Sequence, residues 1–162
     1  MAHGLHDAGF GRGSRVAIWA PNSPVWVVAA LAVLAAGGVV VSIDDLADAE
    51  QFEAALTSAA VRLIFTTAHH LEASGDILRG HAARVILVDE PERAGQSARG
   101  WLSVLGERTD DLPIPGLDQP ALLSWTSGEA LQGRKAEQRI GRAGNDGRRP
   151  ERSGVASRTG DS

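Results

Sequence analysis

Between Arg15 and Asp44 the chain carries no charged side chain, and this run limits what it can fold into. A membrane-spanning helix needs about 20 consecutive apolar residues. Here Pro21-Asn22-Ser23-Pro24 breaks the run early and Gly37-Gly38 breaks it late, leaving Val16 to Ala20, Val25 to Ala36 and Val39 to Ile43. Arg12 and Arg15 ahead of an Ala-rich stretch imitate a secretory signal, but the Pro-Asn-Ser-Pro break falls inside what would be its apolar core. Neither a membrane span nor an export signal is expected, and the cytoplasm is the expected compartment.

The same interruptions suit a β-α-β unit. Val16-Ala17-Ile18-Trp19 is a continuous apolar run, as in a parallel strand covered on both faces. Ser23 is a suitable N-cap, and Pro24 suits the first helical position, where its missing N–H costs nothing. Trp26 to Ala36 is apolar all round and predicts a buried helix, ended by Gly37 in the left-handed conformation. Val39-Val40-Val41 returns as a second buried strand. Asp48 and Gln51 form a capping box ahead of Phe52, Ala55, Leu56 and Ala59 at helical spacing. Val61, Leu63 and Phe65 alternate with Arg62 and Thr66, Ile64 excepted, which predicts a strand nearer an edge. A weaker helix over Leu71 to Leu78, a strand over Val85 to Val88, a short helix or packed loop at 101–105 and a strand over Ala121 to Trp125 complete the pattern. Alternating strands and helices imply an α/β fold: a mostly parallel sheet with helices on both faces. Ligands of such sheets sit beyond the carboxyl ends of the strands.

Composition divides the 162-residue chain in two. Residues 1–128 hold 8 Arg against 15 Asp and Glu, whereas residues 129–162 hold 8 Lys and Arg against 5 acids. The second segment has only Leu131, Ile140 and Val155 as large apolar residues, too few to offset the entropy of ordering it. It is expected to be a disordered Arg/Gly/Ser-rich tail. Its acids are interspersed and no aromatic interleaves, so nucleic acid is not an expected partner. The chain has no cysteine, which removes disulfides, thiolate metal sites and cysteine nucleophiles.

Most candidate motifs reduce to ordinary structure. Gly9, Gly11 and Gly13 precede the first strand, whereas a dinucleotide fingerprint follows one, so a loop is expected there. Asp44 and Asp45 read as strand-end or capping residues. The histidines read as surface residues; His69 and His70 are adjacent and point apart on any regular element, while His3 and His6 could share a helical face without a second ligand set. Ser127 lacks the hydrolase elbow, because position 125 is Trp rather than Gly. Gly128 and Gly133 have Walker A spacing, but Arg134 and Lys135 stand where Lys and a hydroxyl belong. The informative stretch is Leu122-Leu123-Ser124-Trp125-Thr126-Ser127-Gly128. A buried strand there runs into two hydroxyls and a glycine, which can offer Oγ and backbone N–H donors to a polyphosphate.

Gly13-Ser14-Arg15-Val16-Ala17-Ile18-Trp19-Ala20-Pro21-Asn22-Ser23-Pro24-Val25-Trp26 resembles the opening region of AMP-forming acyl-CoA synthetases and related adenylate-forming ligases. Leu34-Ala35-Ala36-Gly37-Gly38-Val39-Val40-Val41-Ser42-Ile43-Asp44 resembles the same family further on. Leu122 to Gly128 resembles the start of its phosphate-binding loop, Thr-Ser-Gly-(Ser/Thr)-(Thr/Ser)-Gly-x-Pro-Lys. The resemblance covers residues 5–128 in the family's order. It implies a partial AMP-binding domain over 1–128, with Thr126, Ser127 and Gly128 contacting ATP phosphates. It further implies activation of a carboxylic acid, expected to be fatty, to an acyl-adenylate with ATP and Mg²⁺, then transfer to a thiol such as coenzyme A. Nucleotide and carboxylic acid are thus the implied small-molecule partners.

The departures shape the expectation for this chain. Glu129, Ala130 and Leu131 replace the loop's hydroxyls and glycine, and Gly133 replaces its proline. Arg134 or Lys135 is the one candidate for its lysine. The family's later Thr-Glu pair, ribose-binding aspartate, hinge and C-terminal domain have no counterpart. The change of character inside the loop resembles translation in another reading frame. The expected protein is therefore an N-terminal ligase fragment, with no catalytic residue of its own and inactive alone. The alternative is a non-catalytic α/β module that binds nucleotide or a partner. A fragment of a larger sheet would expose apolar surface, so self-association is also expected.

Overall fold

A computed structural model of the protein describes residues 1–107, 112 and 118–124, together with the backbone of 136–139. Its centre is the predicted β-α-β unit. β1 (Arg15–Trp19) and β2 (Val39–Ile43) pair in parallel, joined by α2 (Pro24–Ala35). The Ser23 hydroxyl caps α2 by accepting from the Trp26 N–H at 3.1 Å, with Pro24 in the first turn. Gly37, at φ 81°, turns the chain back into β2, a left-handed conformation that a Cβ would strain.

Before this unit lies α1 (Ala2–Asp7), and after it come α3 (Ala49–Ala59), β3 (Leu63–Thr66), α4 (Ala68–Gly80) and β4 (Arg84–Leu87). The two-residue β5 (Arg99–Gly100) runs into a 3-10 turn (Trp101–Val104), followed by β6 (Pro120–Ser124) and β7 (Ala136–Arg139). The sheet order is β5-β4-β3-β1-β2-β6-β7, parallel throughout except for the antiparallel β6–β7 pair. Strand alternation sorts the core into two layers. Val16, Ile18, Val40, Leu63 and Phe65 face α1 and α2, packing on Leu5, Ala29 and Val33. Ala17, Trp19, Val41, Ile43 and Ile64 face α3 and α4, packing on Phe52, Leu56 and Leu78. Helices thus cover both faces, as expected.

Several sequence expectations are corrected. β3 lies between β1 and β4 with all four residues buried, not near an edge. Ile64, the break in its alternation, marked burial on both faces, while Arg62 lies just before the strand. The helix read as Leu71 to Leu78 spans Ala68–Gly80 and bends where Ser74 leaves helical geometry. α2 is covered on one side only: Ala29, Ala32 and Val33 are buried, yet Leu31 is 61% exposed, and Val27 and Val28 about half. Within the segment expected to lack structure, Ala136–Arg139 pair with β6. An edge strand needs only backbone partners, so a low apolar content does not forbid it. The rest of 129–162 lies outside the described residues, as does Trp125. Among the described residues, no helix is long and apolar enough to cross a membrane.

Candidate functional site

The order of the strands creates a divergence at their carboxyl ends. From β1 the chain leaves toward α2 on one face; from the neighbouring β3 it leaves toward α4 on the other. Open α/β sheets bind ligands where neighbouring connections part in this way. The residues gathered there are Trp19 and the Ala20-Pro21-Asn22 turn after β1, the Asp44–Ala47 turn after β2, and the start of α4 after β3.

His70 ties these pieces together. Its Nδ1 lies 3.3 Å from the Trp19 carbonyl oxygen, and its Nε2 lies 3.5 Å from Asp45 Oδ1. The imidazole stacks on the Trp19 indole at 4.1 Å between centroids and 11° between planes. Phe52 stacks on the indole at 4.0 Å. The Thr67 hydroxyl caps α4 by accepting from the His70 N–H, and both Asp89 carboxylate oxygens accept from the Ala68 N–H. These bonds fix the first turn of α4 and thereby aim the ring. The reading of His69 and His70 as surface residues is therefore corrected for His70, whose side chain is 12% exposed. Sequence could not pair it with Trp19, 51 positions earlier.

Beside this stack a cleft of about 500 Å³ opens between the β1 turn and the β2 turn. Asn22, Trp26, Ser42, Asp44 and Asp45 line it. Asp44 acts as a turn residue, its Oδ1 accepting from the Leu46 N–H at 3.0 Å, as expected for a strand-end aspartate. Asp45 departs from that role by facing His70. Among the described residues, no group of three or more His, Asp or Glu side chains could hold a metal ion.

β6 reaches the same edge. It pairs with β2 so that Ser124 lies opposite Ser42, one of the residues lining the cleft. The buried Gln119 amide donates to the Gly37 carbonyl oxygen, anchoring the start of β6 to the end of α2. Thr126, Ser127 and Gly128 lie outside the described residues, two to four positions after Ser124.

The topology and the divergent connections define an open, mostly parallel α/β sheet with a cleft at its carboxyl end. The AMP-binding enzyme family model matches residues 1–128. The chain belongs to the AMP-binding enzyme family. It is 30% identical over 128 residues to a feruloyl-CoA synthase from an Amycolatopsis species, covering 79% of this chain and 23% of that protein. Among solved structures, a long-chain-fatty-acid-CoA ligase from Archaeoglobus fulgidus shares the fold at TM-score 0.67 and 18% identity, over 85% of this chain and 26% of the other. The N-terminal subdomain of NpsA from Klebsiella oxytoca, in complex with 3-hydroxybenzoyl-AMSN, shares it at TM-score 0.58 and 22% identity, over 84% of this chain and 30% of that one. The chain thus spans about a quarter of the length of its curated relative.

Proposed function

We propose that this chain supplies one wall of the nucleotide site of an adenylate-forming acid–thiol ligase. Such a ligase joins a carboxylate oxygen to the α-phosphorus of ATP, releases pyrophosphate, and passes the acyl group to a thiol such as coenzyme A as AMP leaves. The observation that carries the reading is the delivery of β6, through Ser124, to the cleft edge lined by Ser42. Thr126-Ser127-Gly128 follow Ser124 by two to four positions in the sequence. In this reading the two hydroxyls and the backbone N–H groups hold phosphate oxygens, and glycine lets the backbone come close. The NpsA subdomain complex supports it, since its ligand, 3-hydroxybenzoyl-AMSN, carries an aryl acyl group. A fatty or aryl acid is the substrate class, and the cytoplasm is the proposed compartment.

Magnesium would offset charge on the phosphates, and coenzyme A would take the acyl group. Displacement of pyrophosphate at the α-phosphorus by the carboxylate needs several donors converging on the developing charge. Lys135 is the sole lysine of the sequence, and Glu129 adds negative charge directly after the loop start. We therefore propose that the 162-residue chain binds nucleotide without turning it over. Calorimetric titration with ATP tests this. Losing the Ser127 hydroxyl removes a hydrogen bond to a charged oxygen, worth about 1.5–3 kcal/mol. Ser127→Ala should weaken ATP binding roughly 10- to 100-fold. Unchanged binding in that variant, or pyrophosphate release by the wild-type chain, would contradict the reading.

A further inference from the structure

We infer that the opposite edge of the sheet holds a second site, for a small organic anion with an aromatic or short acyl body. This goes beyond the nucleotide reading and uses none of its residues. A cleft of about 500 Å³ lies at the amino ends of β3 and β4. It opens because β5 pairs with Ile86 and Leu87, leaving the outer side of Arg84 and Val85 without a strand partner among the described residues. Leu63 and Ile86 form its floor, and Leu5 and Phe10 wall it on the α1 side. Alternation sets Arg84 on the same face as Ile86, and Arg99 pairs with Ile86 on that face.

Its charge is one-sided. Among the described residues, no acidic side chain lines the cleft. Arg84 holds its guanidinium 5.6 Å from the centre of the Phe10 ring, and Arg62 approaches that ring at the same distance. This is cation–π range. Among the described residues neither Arg84 nor Arg99 forms an ion pair. A guanidinium held against an aromatic wall, above an aliphatic floor, suits a ligand with an anionic head and a flat or oily body. A carboxylate and a phosphate monoester share that chemistry, and an amine of the same shape lacks it.

NMR titration of the full chain with benzoate, phenyl phosphate and benzylamine tests the site. Benzoate, phenyl phosphate or both should shift the amides of Arg84, Ile86 and Gly4, and benzylamine should bind at least ten-fold more weakly. Binding of benzoate alone assigns the site to carboxylates; binding of phenyl phosphate alone assigns it to phosphate esters. Arg84→Gln, at an exposed position, should weaken the anion at least ten-fold. Ala8→Trp should block the cleft sterically. Saturating ATP should leave the titration unchanged, so loss of the nucleotide site in Ser127→Ala is read separately. Benzylamine binding equally well, affinity surviving both variants, or shifts confined to Asn22 and Ser42 would each overturn the inference.

Discussion

His70 is the residue on which the carboxyl-end geometry turns. It joins three segments: the end of β1 through the Trp19 carbonyl, the β2 turn through Asp45, and α4 through its own backbone. Aromatic stacking contributes about 0.5–1.5 kcal/mol beyond area burial, and a hydrogen bond about 1 kcal/mol. His70→Ala should therefore lower unfolding stability by about 1–2 kcal/mol in a urea melt. Asp45→Asn should cost under about 1 kcal/mol, because Asp45 is partly exposed and such pairs contribute little. A neutral His70→Ala would mean that the stack holds nothing in place. None of this was legible in sequence. Capping boxes are short-range patterns, so Asp48 with Gln51 could be read in advance, and both of its hydrogen bonds form. A ring stacked across 51 positions leaves no such pattern.

Elements were legible where local chemistry sets them. The α2 start at Ser23-Pro24 and the left-handed Gly37 follow from caps and turns. Placement across the sheet was less legible, because strand order depends on which surfaces meet. β3 reads as nearer an edge from its alternation with Arg62 and Thr66, yet the topology sets it between two strands. The end of α3 offers a direct test. Ala60 closes that helix at φ 49°, the single described non-glycine residue with positive φ. The left-handed conformation costs an L-residue about 1–2 kcal/mol, while glycine takes it freely at some entropic cost. Ala60→Gly should raise stability by about 0.5–1 kcal/mol, measured as a shift in the urea midpoint at constant slope. A loss of stability would show that the Ala60 methyl packs usefully.

On the scale of the whole molecule, two helix layers cover the sheet, but α2 keeps Val27, Val28 and Leu31 in solvent. The sequence reads that helix as buried on every side, so its outer face lacks the cover that its composition suits. Self-association through this face is a proposal. Three half-exposed aliphatic side chains from each of two copies offer roughly 5 kcal/mol. That falls short of the about 8 kcal/mol that a micromolar dimer needs. Sedimentation should show a monomer at low concentration and weak dimerisation at high concentration, reduced by Leu31→Gln. Association unaffected by that variant would place the contact elsewhere.

The proposed phosphate-loop residues Thr126, Ser127 and Gly128 read as a motif because hydroxyls and glycine after a strand carry their chemistry locally. What sequence could not supply was the edge they start from, which follows from pairing β6 with β2. That edge is the centre of the functional account. Its most direct test is to map ATP on the full chain by amide shift perturbation. Shifts should fall on Asn22, Ser42, Asp44, Asp45 and the Thr126-Ser127-Gly128 segment. Shifts confined to Phe10 and Arg84 at the other edge, or none at saturating ATP, would contradict it.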